Sequence, residues 1–400
     1  MGGHMRRPLV TAIVSTFDAE RLFAGCMENL LRQSLYARGL LEIVVVDSGS
    51  RQGESALAAA YAREHPGIVC LRTQRETLYA AWNRAVGVAL GRYIANANTD
   101  DRHHPDTMRV MAEWLDASGA GLAYADTLIT PAVNETHMDT RSDVVWAMPG
   151  YSLRQAVVDC IFGPVTMWRA DAHDAIGMFP EEMRIAGDYA FFLHVAWKMG
   201  AVHVPLPLGL CHQSMDNLSS DVVGAVRENY AFLPALRRCI PLADMYPFLD
   251  GNASDAARCI ALVDYANLLL FAPGGHADPA HALDLYAEVD ALCPGRFDVR
   301  FNAAVAMVKA GERERAMDAL RGIDVRDDEE RTLVAHNVRL LQRGEPLWKL
   351  ATVSVSHPLT DALAPLVPRE RRRMSRAQYI ALRPGGAAYL AGDASADATR

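Results

Sequence analysis

Apolar positions in the first half of the chain alternate between two periods. Leu9 to Val14 is a β-branched run that ends in Ser15-Thr16-Phe17-Asp18, as suits a buried strand feeding a loop. Leu22, Phe23, Cys26, Met27, Leu30 and Leu31 then recur at helical spacing and give one apolar face. Leu41 to Val46 carries almost no polar alternation, which predicts a central parallel strand covered on both faces, and it stops at Asp47-Ser48-Gly49-Ser50. The pattern goes on to predict a helix near 54–64, a strand at 68–71, a helix at 77–90, a strand at 92–97 and a helix around 107–115. After a less regular stretch, a strand at 163–168, a helix at 189–199 and strand-like residues 202–210 close this half. Repeated βα units build a parallel sheet with right-handed crossovers, and ligands then bind beyond the carboxyl ends of the strands. Thr16, Asp47 and the run Asn98 to Asp101 all fall at such ends.

After about Asp221 the segments turn helical, rich in Ala and Leu, with few β-branched runs. Helices are expected at 280–292, ending in Cys293-Pro294, at 299–310, ending at Gly311, and at 314–320. The order Asn302-Ala303-Ala304, Gly311, Ala316 resembles a tetratricopeptide helix pair, in which small residues let two helices approach closely. The expected organisation is a tag remnant over 1–5, an α/β domain over 6–221, an all-α accessory domain over 222–385 and a disordered Gly-, Ala- and Asp-rich tail over 386–400.

Composition narrows the class. The chain has 400 residues, half of them apolar, enough for two to three domains with cores of their own. The net charge of −8 is spread along the chain, which argues against a nucleic-acid binder with a broad cationic face. Seven cysteines without a CxxC pair suggest neither a disulfide framework nor a zinc site, and fit a reducing cytoplasm. No apolar run approaches the roughly 20 residues of a membrane span, and no signal peptide is evident. The basic run Arg369 to Arg373 offers a peripheral contact to anionic lipid, although a solvated basic turn is the commoner meaning of such a run.

Three blocks then resemble one family. Val44-Val45-Val46-Asp47-Ser48-Gly49-Ser50, Leu78-Tyr79-Ala80-Ala81-Trp82-Asn83, and Ala89 to Ile94 followed by Asn98-Thr99-Asp100-Asp101 are similar, in order and spacing, to family-2 glycosyltransferases. These are inverting enzymes of the GT-A fold. The resemblance covers about the first half of the chain and implies a GT-A Rossmann-like nucleotide-diphospho-sugar transferase domain. It also implies a divalent metal, Mn²⁺ or Mg²⁺, which takes hard oxygen ligands and lets carboxylates share a site with a diphosphate.

By that resemblance Asp100 is the metal ligand, Asn98 replaces a commoner aspartate and faces the donor ribose, and Asp101 supports the pair. Asp47 would accept the base N–H of a uracil, with Thr16 and Phe17 beside the same ring, which points to a UDP-sugar donor. Where relatives carry Ala-Arg-Asn this chain has Ala81-Trp82-Asn83-Arg84, so beside Asn83 it is Arg84 that would substitute for the family's base-stacking or phosphate-contacting arginine. Gly187-Asp188-Tyr189 resembles the block that supplies the catalytic base, Asp188, with Gly187 in place of the usual glutamate. Cys211-His212-Gln213-Ser214 matches a segment whose histidine, here His212, completes the metal shell or touches the diphosphate. The acceptor class stays open among glycan, lipid-linked and protein hydroxyls. Two rivals were weighed. A nucleotidyltransferase would need a Gly-rich basic loop after the first strand, which Ser15 to Asp18 lacks. A non-catalytic nucleotide-sugar-binding scaffold with a partner-binding helical domain is the second.

Overall fold

The structure is a computed structural model that describes residues 7–214, 217–251, 254–272, 276–345, 350–352 and 372–390. The expected tag remnant over 1–5 and residues 391–400 of the expected tail lie outside the described residues. The chain divides into two compact units: Met1–Tyr151, Cys160–Glu228 and Arg369–Arg400 form the first, and Ser152–Asp159 with Asn229–Pro368 form the second.

The first unit is built on a ten-stranded mixed sheet with strands β1 (Val10–Thr16), β2 (Leu41–Asp47), β3 (Ile68–Arg72), β4 (Tyr93–Asn96), β5 (Arg102–His103), β6 (Leu122–Thr130), β7 (Val144–Ala147), β8 (Thr166–Arg169), β9 (Ala201–His212) and β10 (Arg372–Ser375). Their spatial order is β10-β7-β6-β8-β4-β1-β2-β3, with β9 on β6 and β5 on β9. The strands β1 to β4 are parallel neighbours, so their carboxyl ends share one edge. β2 is buried along its whole length, Glu42 included, whose carboxylate accepts the Thr11 hydroxyl of β1. Val10, Ala12, Val14, Ile43 and Val45 pack against Phe23, Met27 and Leu30 of the helix Glu20–Leu31 to make the main core.

The parallel alternation stops after β4. β8 runs antiparallel to both β4 and β6, and β7 antiparallel to β6. β6 was not evident in the sequence because Asp126 and Thr127 interrupt its apolar run, yet both side chains are buried. The ladder between β6 and β9 is irregular on either side of Asp126, opposite Val204 to Pro207.

The C-terminal segment departs from the expected plan. Residues 372–390 were assigned to the helical domain and a disordered tail, but they belong to the first unit. β10 pairs antiparallel with β7, and the helix Arg376–Leu382 follows with a capping box formed by Ser375 and Gln378. A further helical turn, Ala387–Leu390, falls where disorder was expected and has Tyr389 and Leu390 buried. The cause is long-range: the Tyr379 hydroxyl donates to Asp126 Oδ2 at 2.5 Å and Arg383 pairs with the same carboxylate.

The second unit is helical, as its composition implies. Helices Asp255–Phe271, Pro279–Leu292, Phe297–Lys309, Arg313–Arg321 and Asp328–Arg343 pack each on the next in chain order. Inside it Arg154 and the Tyr246 hydroxyl meet on Asp264, at 2.7 Å and 2.5 Å.

Candidate functional site

The site is built from strand ends. The register places Thr16 beside Asp47 and Asp47 beside Arg72, one row across the carboxyl edge. Asp47 is buried; its Oδ1 accepts the Ser50 N–H at 2.8 Å, whereas Oδ2 has no hydrogen-bond partner and lies 3.7 Å from Arg72 Nε. The Thr16 hydroxyl is also buried without a partner. Buried polar groups are nearly always hydrogen-bonded, so two unsatisfied atoms in one row mark a place that a ligand or water completes. Next to them the Phe17 ring lies under the Arg75 guanidinium, 3.7 Å from its centroid. Arg75 also donates to the Glu76 carbonyl at 2.8 Å, and Ser48 Oγ accepts the Glu76 N–H at 2.9 Å, which ties this loop to the end of β2.

The acidic run follows β4. β5 pairs antiparallel with β9, Arg102 facing Leu210 and His103 facing Gly209. Continued outward, that register sets Asp101 against Cys211 and Asp100 against His212. Arg102 holds the turn by donating to the carbonyls of Thr99 and Asp101, at 2.8 and 2.7 Å. Burial raises the carboxyl of Asp100 above its ordinary value, partly opposed by the nearby His212 and Arg102 charges. Burial and the Asp100 charge together push Asp101 up to about 7. Asn98 donates to Asp101 Oδ2 at 3.2 Å, and hydrogen bonds from the Cys211 thiol and the His212 N–H also lower the Asp101 carboxyl, while His212 Nδ1 is buried with no hydrogen-bond partner.

Asp188 is the second residue of the helix Gly187–Met199. The Tyr79 hydroxyl donates to its Oδ1 at 3.1 Å and to the Ile185 carbonyl at 2.7 Å, while the Tyr189 N–H donates to Oδ1 at 2.7 Å. Burial raises its carboxyl, countered by those hydrogen bonds. The backbone before it is fixed from a distance: the Glu228 carboxylate accepts the N–H groups of Arg184, Ile185 and Ala186 at 2.8, 2.9 and 2.8 Å. Gly187 has a steric reason, since a Cβ there would lie 2.6 Å from two ring carbons of Tyr79. The residue that orients Asp188 thus fills the space of a side chain at 187.

Two expected donor-binding residues are placed elsewhere. Asn83 was read as a donor contact, but its amide is spent on the scaffold: Nδ2 donates to the Phe179 carbonyl at 2.9 Å and to Glu181 Oε1 at 3.0 Å, and Oδ1 accepts the Phe179 N–H at 3.0 Å. Arg84 is largely exposed and paired with Glu76 at 2.7 Å. Arg75, which sequence reasoning passed over, lies against Phe17 instead; an arginine near the end of a loop after a strand was the only signal. Tyr79 and Glu228 were missed as well, because their roles depend on partners about a hundred and about forty positions away. Among the described residues no group of three or more His, Cys, Asp or Glu side chains is arranged to hold a metal ion. Asp100 and His212 are the adjacent pair from which such a site would be made.

Residues 11–166 match the family model described as Glycosyl transferase family 2. Over similar lengths the chain is 31% identical to the uncharacterized glycosyltransferase YibD of Escherichia coli, covering 26% of this chain and 30% of that protein. It is 34% identical to the succinoglycan biosynthesis protein ExoO of Rhizobium meliloti, covering 29% of this chain and 32% of that protein. The matched part spans about a third of the length of these relatives. Among solved structures, a mannosyltransferase from Pyrobaculum calidifontis in complex with GDP-Man and Mn²⁺ aligns with a TM-score of 0.47 at 20% identity, covering 84% of this chain and 85% of that one. No helix among the described residues is long and apolar enough to cross a membrane.

Proposed function

We propose that the protein is an inverting glycosyltransferase that transfers a sugar from a nucleotide-diphosphate donor, with UDP-sugars favoured, to a hydroxyl of a glycan, lipid-linked or protein acceptor. The observation that carries this reading is the set of buried polar atoms at the carboxyl edge with no hydrogen-bond partner: Thr16 Oγ1, His212 Nδ1 and Asp47 Oδ2, the last with only the Arg72 charge 3.7 Å away. Each is an acceptor or donor awaiting a partner, and a polar ligand supplies several at once.

In this reading Asp47 Oδ2 accepts a base N–H, Thr16 and the Phe17–Arg75 pair frame the base, and Asn98 meets the ribose. The carboxylate of Asp100 and the imidazole of His212 are ligand types that a divalent cation accepts, with water and the diphosphate supplying the rest. Asp100 and His212 would hold Mn²⁺ or Mg²⁺, with Asp101 supporting. When bound, the ion supplies Lewis-acid stabilisation of charge growing on the diphosphate. Asp188 takes the acceptor proton as the hydroxyl oxygen attacks the anomeric carbon, held in orientation by Tyr79 and by the backbone that Glu228 secures. The helices from Asp255 to Arg343, stacked in chain order, support a tetratricopeptide-like accessory region for an acceptor or partner.

The test is transfer from UDP-sugars, with and without Mn²⁺, for wild type, Asp188→Asn and Asp100→Ala. Loss of transfer in Asp188→Asn with donor binding kept, and loss of metal response in Asp100→Ala, are expected. Full activity in either variant sinks the assigned role, and no thermal shift with any nucleotide sugar favours the scaffold reading.

A further inference from the structure

The cysteine spacing gave no sign of a crosslink, yet two cysteines of the second unit meet. Cys259 lies in the second turn of the helix Asp255–Phe271, and Cys293 caps the C-terminal end of the helix Pro279–Leu292. Their Sγ atoms are 2.7 Å apart. Non-bonded heavy atoms sit at about 3.5–4.0 Å, while a disulfide spans about 2.05 Å, so a small shift closes the bond. Cys26 and Cys70, by contrast, donate to backbone carbonyls.

The surroundings favour oxidation. Cys259 is buried, whereas Cys293 is only half-buried and within reach of a small oxidant. Burial and the adjacent Cys293 push the Cys259 thiol up to about 12 against the nearby Arg296 charge, which leaves the more accessible Cys293 as the sulfur that meets an oxidant first. We propose that Cys259 and Cys293 form a reversible disulfide that ties these two helices together. With a peroxide as oxidant, the Cys293 thiolate attacks one peroxide oxygen, forming a sulfenic acid and releasing hydroxide. The Cys259 sulfur then displaces that oxygen as water and loses its own proton, so two thiols and one hydrogen peroxide give one disulfide and two waters. A thiol such as glutathione reverses the bond by exchange.

The bond would act on a cavity of about 180 Å³ between the two helices, walled by Arg258 and Leu262 from one and Leu285 and Glu288 from the other. In the reduced protein Arg258 and Glu288 already pair across it at 2.5 Å. Oxidation adds a covalent strut where there is now one exposed ion pair.

The experiment is peptide mass mapping of the full chain after brief exposure to hydrogen peroxide or glutathione disulfide, with free thiols alkylated in denaturant. The expected result is a Cys259–Cys293 linked peptide two hydrogens lighter than the separate pair, absent after dithiothreitol. The oxidised protein should also unfold about 5 °C above the reduced one, and the difference should vanish in Cys293→Ser. Complete alkylation of both cysteines in the oxidised wild-type chain overturns the proposal, as does a glutathione adduct on Cys293 with Cys259 still free. The wild-type measurement decides the matter even if the serine variant folds poorly.

Discussion

Asp126 and Asp101 are two aspartates inside the same unit, and they are held in opposite ways. Asp126 is fully buried and takes the Tyr379 hydroxyl, the Arg383 guanidinium, His203 Nε2 at 2.8 Å and the Met148 N–H at 2.7 Å. Asp101 is met by neutral donors, the Asn98 amide, the Cys211 thiol and the His212 N–H, with the Asp100 charge beside it. A buried charge that is paired and hydrogen-bonded closes a fold, and one met only by neutral donors beside a like charge is a cost that a ligand can repay. The contrast separates scaffold from site inside one sheet, for Asp126 lies on β6 and Asp101 just before β5.

The largest effect tests the site side of the contrast. Asp188→Asn should lower kcat by about 10²–10⁴-fold in a transfer assay, leaving KM for the donor and the unfolding midpoint near wild type. A stability loss instead would return Asp188 to the scaffold.

On the scaffold side, Arg383→Ala should cost about 3–5 kcal/mol in urea unfolding, because it leaves the Asp126 carboxylate buried with less compensation. Adding Asp126→Asn to it should recover part of the loss. Two independent, additive losses would show that the pair is not coupled.

Gly187→Ala tests the point where the two roles meet. The added Cβ must displace the Tyr79 ring, so stability should fall by about 1–3 kcal/mol, with a drop in kcat as Asp188 loses its hydroxyl partner. Unchanged kcat would remove Tyr79 from the positioning role.

The smallest effect is a pH dependence. Burial raises the Asp101 carboxyl from 3.8 to about 7, so the folded state keeps a proton that the unfolded chain releases. Between those values the native state binds more protons, and this group therefore subtracts stability as pH rises from about 4 through 7. Asp101→Asn should flatten that slope and leave the metal-free protein more stable than wild type at pH 8, with little change at pH 4. Wild-type protein should gain more from Mn²⁺ at pH 8 than at pH 5. An identical pH profile in the variant would show Asp101 to be as well satisfied as Asp126.

The sheet's first half was legible because burial on both faces demands apolar runs, and Leu41 to Val46 and Val10 to Val14 are apolar except for Glu42 and Thr11, which hydrogen-bond to each other. The ends of those runs located Thr16, Asp47 and the acidic turn, since a strand end is a local feature. β6 was not legible, because its Asp126 is tolerated inside the sheet only through partners about eighty and about two hundred and fifty positions away. The role of Asn83 was misread for the same reason: an amide beside an acidic motif suggests a ligand contact, and nothing local reveals that Phe179 and Glu181 consume it.

What the sequence determined by itself is the period of each element, the place where each strand stops and the chemical types gathered there, all set by neighbours a few positions away. What the tertiary structure decided is which polar atoms are already paired. It folds residues 372–390 onto the sheet so that Tyr379 and Arg383 quench Asp126. It lets Tyr79 occupy the space at Gly187, and it leaves the Thr16 hydroxyl and His212 Nδ1 buried without hydrogen-bond partners. Hydrogen bonding and burial depend on distance in space, whereas hydrophobic period depends on distance along the chain.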